Sequence, residues 1–180
     1  MENDISTEER VKCLERDDLS PSQIANYFIA ISRVDNIKLT TMKLIKLVYI
    51  AYGWCMVLLG RKIFSEEIEA WKFGPVIPSL YHEFKRFGPK PIQDMAIDVD
   101  FTNRDVGLNI PIVEDEDVIE VLGFVWSEYK NCDAFKLSDI THKKDSPWSK
   151  AYTKGQNAPL NDVDIYKRCL KKINDISDDI

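Results

Sequence analysis

The sequence is poor in residues that build metal and thiol sites. It has two histidines, His82 and His142, and four cysteines that stand far apart without a Cys-x-x-Cys pair. A structural zinc ion needs four ligands at short spacings, so this inventory predicts no metal site and no cofactor. The first ten residues are acidic and lack the apolar stretch of a secretory signal. We therefore expect a cytoplasmic protein with reduced thiols.

A hydrophobic run long enough to cross a bilayer is also missing. The longest run that begins and ends with apolar residues and contains no polar residue is thirteen residues long, from Leu47 to Leu59 with Gly53 inside it. A transmembrane helix needs about 20 such residues. The run therefore predicts a buried helix, and we expect no membrane partner.

The chain lacks a surplus of positive charge. Its formal net charge is -6, whereas a nucleic-acid partner calls for a basic surface, so we expect none. The acidic residues concentrate in residues 94–120, which hold nine of them and one arginine. Residues 90–113 show no helical period and predict a loop, with an edge strand near Leu108 to Val113. The acidic segment is either a solvated loop or a surface for a charged protein partner.

The familiar catalytic motifs are absent. The chain contains no Gly-x-Ser-x-Gly, Walker, Gly-x-Gly-x-x-Gly or His-Glu-x-x-His pattern. Cys132 and His142 could form a nucleophile–base pair, although nothing in their spacing specifies one, and a cysteine is more often a small core residue. We predict no catalytic residues and no enzyme. A Cys/His hydrolase and a transcriptional regulator are the alternatives, the latter without a visible helix-turn-helix pattern.

Helix-start signals recur along the chain and predict a mainly α fold. Ser20-Pro21 and Ser146-Pro147 each place a capping serine before a proline, which suits the first helical turn. We predict one compact helical domain over residues 20–180, with six or seven helices and at most a small antiparallel β element. An arm or short helix over residues 1–19 precedes it.

The segment from Leu39 to Leu59 is the most apolar and predicts the central helix. Apolar residues cover nearly its whole circumference, while Lys43 and Lys46 share one stripe. A helix of this kind is normally packed by others on most sides. Gly53 within it predicts a close approach of a second helix.

Two copies of Phe-Gly-Pro, at residues 73–75 and 87–89, bracket a short aromatic segment. Because Gly-Pro interrupts regular structure, we predict that the first copy ends an extended segment and that the second ends a helix beginning at Pro78. This corner is either a rigid docking edge with aromatic anchors or a corner of the core. In the second case Trp71 and Tyr81 lie inside the corner; for Trp71 and Trp148 as individual residues we favour the core.

Three blocks of sequence, read together, resemble a known family. The first is Leu39-Thr40 with KLIKLVYIA from residue 43, the second is AWKFGPVIP from residue 70 with Tyr81, and the third is LSDITH from residue 137 with Pro147-Trp148. Together they resemble the Panacea domain of SocA-like and GepA-like antitoxins. The resemblance covers about residues 21–172, with Pro159-Leu160 placed where the family has a proline before its last helix.

The resemblance implies a phage-associated type of toxin–antitoxin system, in which the antitoxin neutralises a co-encoded toxin by direct protein–protein binding. One member type also delivers its toxin to an AAA+ protease, which makes such a protease a second candidate partner. We favour the corner between residues 73 and 87 as the toxin-binding face over residues 94–120, because rigid anchors lose less entropy on binding. The predicted family-motif or partner-binding residues are Trp71, Phe73, Gly74, Pro75, Val76, Pro78, Tyr81, Lys85, Arg86, Thr141, His142, Pro147 and Trp148.

Overall fold

In the computed structural model, which describes residues 6–100 and 107–177, eight α-helices surround three small β-sheets. The helices are α1 (Thr7–Lys12), α2 (Pro21–Val34), α3 (Thr41–Leu58), α4 (Pro78–Phe84), α5 (Glu116–Tyr129), α6 (Ala134–His142), α7 (Pro147–Tyr152) and α8 (Asp162–Ser177). The strands are β1 (Glu15–Arg16), β2 (Arg61–Lys62), β3 (Glu69–Trp71), β4 (Gly74–Val76), β5 (Asp98–Asp100), β6 (Gly107–Asn109) and β7 (Ala158–Pro159). The prediction of a mainly α fold with a small β element is confirmed.

Side-chain caps begin the helices at the predicted places. Ser20 accepts a hydrogen bond from the Gln23 amide, and the Gln23 side chain accepts one from the Ser20 amide, which completes a capping box before α2. Ser146 caps α7 by accepting a hydrogen bond from the Ser149 amide. Seven of the helices correspond to predicted ones, and α1 is the short helix in the arm, where Val11 is buried and α1 packs on α8.

Helix α3 lies at the centre of the fold, as predicted. It contacts α2, α4, α5, α6 and α8, and every residue from Lys43 to Met56 is buried. It is long and apolar enough to cross a membrane, yet 83% of it is buried inside the fold, which is the position of a core helix. A Cβ atom at Gly53 would lie 2.6 Å from the Cys169 sulfur, so glycine permits the close approach of α8.

Two lysines are buried within this apolar helix. Lys43 is 5% exposed and donates to the Lys130 carbonyl at the end of α5. Lys46 is 1% exposed and donates to the Pro75 carbonyl in β4 at 2.9 Å. The lysine stripe seen in the sequence is therefore internal, and its two ammonium groups reach different elements.

The first Gly-Pro pair does not end the extended segment, so this prediction is wrong. The chain reverses through Lys72-Phe73, and Gly74 begins β4, which pairs antiparallel with β3. Gly74 has a φ of 103°, a conformation that glycine adopts without a steric penalty. Strand β3 also pairs with β7 along its other edge. It is therefore the central strand of a three-stranded sheet, with β4 on one side and β7 on the other.

The second Gly-Pro pair ends the helical segment as predicted. Helix α4 begins at Pro78, and a 3₁₀ turn over Lys85–Phe87 continues it to Gly88. Gly88 also has a positive φ, of 54°. Leu80 and Phe84 face the core from α4.

The acidic segment folds into a hairpin and a helix start. Strands β5 and β6 pair antiparallel, with Val99 opposite Leu108, and β6 covers only the first part of the edge strand expected near Leu108 to Val113. Asp115 caps α5 and accepts two hydrogen bonds from Arg61, at 2.7 and 3.2 Å, which lower its pKa to about 2. Residues 101–106 of the predicted loop and residues 1–5 of the predicted arm lie outside the described residues.

Candidate partner-binding site

The three blocks that carry the family resemblance meet at the β3–β4 hairpin. One side chain from α3, one from α6 and one from α7 each donate a hydrogen bond to a hairpin carbonyl. These are Lys46 to Pro75 at 2.9 Å, Ser138 to Phe73 at 3.2 Å and Trp148 to Trp71 at 2.8 Å. The hairpin backbone is therefore fixed by helices that are distant in sequence.

His142 supports this corner from the last position of α6. Its Nδ1 lies 2.7 Å from the Ser138 carbonyl oxygen, and its ring packs edge-to-face with the Trp148 ring at a centroid distance of 4.0 Å. Thr141 is buried and donates to the same Ser138 carbonyl, and Pro147 is buried at the start of α7. These contacts give the third block a packing role under the hairpin.

The proposed cysteine–histidine pair is not assembled. Cys132 precedes the first turn of α6, and His142 is the last residue of that helix. Nine helical residues span about 13 Å, which is far beyond hydrogen-bond reach. In the part of the chain that the structure describes, no three His, Cys, Asp or Glu side chains converge as a cation site either.

A cleft of about 440 Å³ opens between α3 and the corner formed by the β3–β4 hairpin and α4. Trp71 and Tyr81 line it together, with ring centroids 4.8 Å apart in an edge-to-face arrangement. Phe73, at the tip of the hairpin, lines it as well and is 63% exposed. Met42 and Ile45 contribute apolar surface from α3. The cleft is thus an aromatic and aliphatic depression on a rigid frame.

Some of the predicted aromatic residues are half-buried, and others lie at the protein surface. Trp71 and Trp148 are half-buried, and the Trp71 indole donates to Glu69 at 2.6 Å. Tyr81 is 36% exposed, so it lies at the surface and not inside a core corner, which was one of the two alternatives. It lies outside because α4 turns its other face, with Leu80 and Phe84, toward the core. Pro75 and Val76 are buried in β4, and Pro78 begins α4.

The predicted pair of basic residues points in two directions. Lys85 lines the cleft and lies 3.2 Å from the His82 ring. Arg86 instead pairs with Asp94 at 3.5 Å and lies over the Phe87 ring at 4.9 Å. Only Lys85 of the two can act on a molecule in the cleft.

Lys46 is the site residue that the sequence did not single out. It lines the cleft from α3, and among residues 6–100 and 107–177 it forms no ion pair. Burial disfavours its charged form and lowers its pKa to about 7. A charged residue inside an otherwise apolar helix was the available signal, but its partner lies 29 positions away in the sequence.

We expect Gly74→Ala to destabilise the protein more than Gly88→Ala. Both glycines stand between Phe and Pro with a positive φ, so alanine costs about 1–2 kcal/mol at either one. At Gly74 the added Cβ would also lie 2.6 Å from Lys46 Nζ and 3.2 Å from His142 Cε1, whereas at Gly88 it meets nothing within 4 Å. This overlap adds about 1–3 kcal/mol. Urea unfolding measures both variants, and equal losses would contradict the tight contact.

Comparison with known proteins supports one family. The family described as "Antitoxin SocA-like, Panacea domain" matches residues 44–149, a range that spans parts of all three sequence blocks. Antitoxin SocA of Caulobacter vibrioides (strain NA1000 / CB15N) is 33% identical over 127 residues, which are 69% of this chain and 66% of that relative. The match thus covers slightly less than two thirds of the relative's length. No solved structure matches the chain.

Proposed function

Because the chain belongs to the family of SocA-like antitoxins with a Panacea domain, we propose that it neutralises a co-encoded protein toxin by binding it directly. The observation that carries this proposal is the convergence of the family's sequence blocks on a rigid hairpin beside an aromatic cleft. Such a surface suits the capture of a protein. The same residues support backbone geometry: Ser138 Oγ donates to the Phe73 carbonyl, and His142 Nδ1 lies 3.0 Å from that Oγ and 2.7 Å from the Ser138 carbonyl oxygen.

We assign the toxin contact to this cleft. Phe73 and Tyr81 are exposed aromatic side chains on elements held by hydrogen bonds and core packing. Aromatic anchors on a preorganised surface contribute most to protein interfaces, because little conformational entropy is lost when they bind. The competing surface is the β5–β6 hairpin, where Leu108 and Ile110 are exposed.

Co-expression tests the antitoxin activity itself. The product of the gene adjacent to this one should arrest growth when expressed alone, and growth should return when this protein is expressed with it. A neighbour that is harmless alone, or equally toxic with this protein present, would contradict the proposal. The abundance of the toxin distinguishes two modes: unchanged abundance supports sequestration, and protease-dependent loss supports delivery to an AAA+ protease.

We expect the double variant Phe73→Ala, Tyr81→Ala to bind the toxin at least about tenfold more weakly, since interface anchors each contribute more than 1 kcal/mol. Lys85→Glu should weaken binding more than Arg86→Glu, because Lys85 lines the cleft and Arg86 does not. Calorimetric titration with the purified toxin measures both effects.

Two control variants make this test specific. Val34→Ala changes an exposed apolar residue at the end of α2 and should leave toxin affinity unchanged. The double variant Leu108→Ala, Ile110→Ala probes the β5–β6 hairpin. If the hairpin variant loses neutralisation while the Phe73, Tyr81 variant keeps it, the cleft is scaffold and the acidic segment is the toxin-binding face.

A further inference from the structure

The cleft beside the β3–β4 hairpin combines apolar surface with charge of one sign. Three lysines line it, namely Lys46 on α3, Lys72 at the hairpin turn and Lys85 after α4, and no acidic side chain does so among the described residues. The remaining lining residues are mainly aromatic or aliphatic. A ligand that complements this surface carries an apolar group and a negative charge.

Lys46 is the least exposed of these three lysines. It is 1% exposed, and its ammonium group donates one of three available hydrogen bonds, to the Pro75 carbonyl at 2.9 Å. A buried charge without a counter-ion is unfavourable, so an anion that enters the cleft stabilises the charged form of Lys46 and gains a charged hydrogen-bond donor there. Lys72 and Lys85 are exposed and attract the same anion at the opening of the cleft.

The other buried lysine of α3, Lys43, lies outside the cleft. It is also buried on α3, three positions earlier, but its ammonium group donates to the Lys130 carbonyl and lies 5.7 Å from the centre of the Trp126 ring. It does not line the cleft. The chain therefore contains a matched buried lysine that can serve as a control.

We propose that the cleft recognises a segment of the protein partner in which an apolar or aromatic side chain stands next to an aspartate or glutamate. The apolar group packs against Trp71 and Tyr81, and the carboxylate accepts hydrogen bonds from Lys46 and from Lys72 or Lys85. This inference rests on the proposed function for the identity of the partner. The chemistry of the cleft can be tested without that partner.

Indole-3-propionate is a suitable probe, because it joins an aromatic ring to a carboxylate. The neutral control is indole-3-propionamide, and the cationic control is tryptamine. Nuclear magnetic resonance titration of the full-length protein should show shifts of the Trp71 indole signal, assigned with Trp71→Phe. We expect the carboxylate to bind roughly tenfold tighter than the amide, the effect of one charge-assisted hydrogen bond, and tryptamine to bind least. Equal affinities for the carboxylate and the amide, or shifts that avoid the cleft, would overturn the proposal.

Lysine variants test which side chain causes the preference for the carboxylate over the amide. Lys46→Met should remove the preference for the carboxylate over the amide, whereas Lys43→Met should keep it. A preference that survives Lys46→Met, or that disappears in Lys43→Met, would count against the assignment to Lys46. The wild-type comparison of carboxylate with amide needs no variant, so it decides the proposal even if a substituted protein does not fold.

The protein source of the carboxylate is tested separately with overlapping twelve-residue peptides from the co-encoded protein. A peptide that displaces indole-3-propionate should contain an acidic residue beside an aromatic or aliphatic one, and replacing that acid by its amide should abolish displacement. Displacement only by a peptide with a free terminal carboxylate would overturn the assignment to a side chain. If the probe binds as expected but the co-encoded protein is not neutralised, the proposed function fails while the chemistry of the cleft stands.

Discussion

Replacing Leu47 by alanine should lower the free energy of unfolding by about 2–5 kcal/mol. Leu47 is fully buried in α3, the helix that packs against α2, α4, α5, α6 and α8. Removing its side chain loses transfer free energy and leaves a cavity that neighbours on several sides cannot all collapse to fill. Urea unfolding followed by circular dichroism gives the difference.

Two further variants calibrate this result. Ile50→Ala, one turn later and 6% exposed, should show a loss of the same order. Leu58→Ala, in the last turn of the same helix and 48% exposed, should cost less than about 1 kcal/mol. If Leu47→Ala and Ile50→Ala both cost as little as Leu58→Ala, α3 is not the centre of the core.

The helices could be predicted because their signals are local. A serine before a proline, a glutamine three residues after the cap and an apolar face at helical spacing all lie within one or two turns, as α2 shows from Ser20 to Phe28. The central position of α3 followed from its composition, since a helix that is apolar nearly all round needs partners on most sides.

The hairpin could not be predicted in the same way. Gly74-Pro75 has the sequence of an interruption, and its strand character depends on pairing with β3, which in turn pairs with β7 about ninety residues later. The side chains that hold its carbonyls come from residues 46, 138 and 148. Long-range hydrogen bonds of this kind override a local preference, and they leave no local signal.

The candidate site could be predicted only in part from the sequence, for the same reason. The aromatic corner was visible in the sequence, but which of its rings point outward depends on how α4 lies on the core. Leu80 and Phe84 occupy the inner face of α4, so Tyr81 is left at the surface beside Trp71. The two Phe-Gly-Pro copies therefore differ in role: the first lies in the hairpin that forms one wall of the cleft, and the second ends the helical segment that forms another wall, with Gly88 in the lining.

We expect the free energy of unfolding of the wild-type protein to rise with pH more steeply than that of Lys46→Met, because of the buried Lys46 ammonium. Burial lowers the pKa of Lys46 in the folded protein to about 7, from an ordinary value of 10.5 in the unfolded chain. Below pH 7 the group is charged in both states, and the full cost of burying the charge is present. Between pH 7 and pH 10.5 the unfolded chain holds a proton that the folded protein has released, so stability increases with pH across this window.

The expected gain is about 1.4 kcal/mol per pH unit within the window, which amounts to about 2 kcal/mol between pH 7 and pH 9 and about 5 kcal/mol in total. Urea unfolding of wild type and Lys46→Met at matched pH values measures it, and the difference between the two proteins cancels the titration of all other groups. Lys43→Met should show a weaker trend of the same sign, because burial also lowers the pKa of Lys43, while Cys132 and Asp133 oppose the shift. Parallel pH profiles for wild type and Lys46→Met would mean that Lys46 stays charged in the folded protein, with water or an anion reaching it through the cleft.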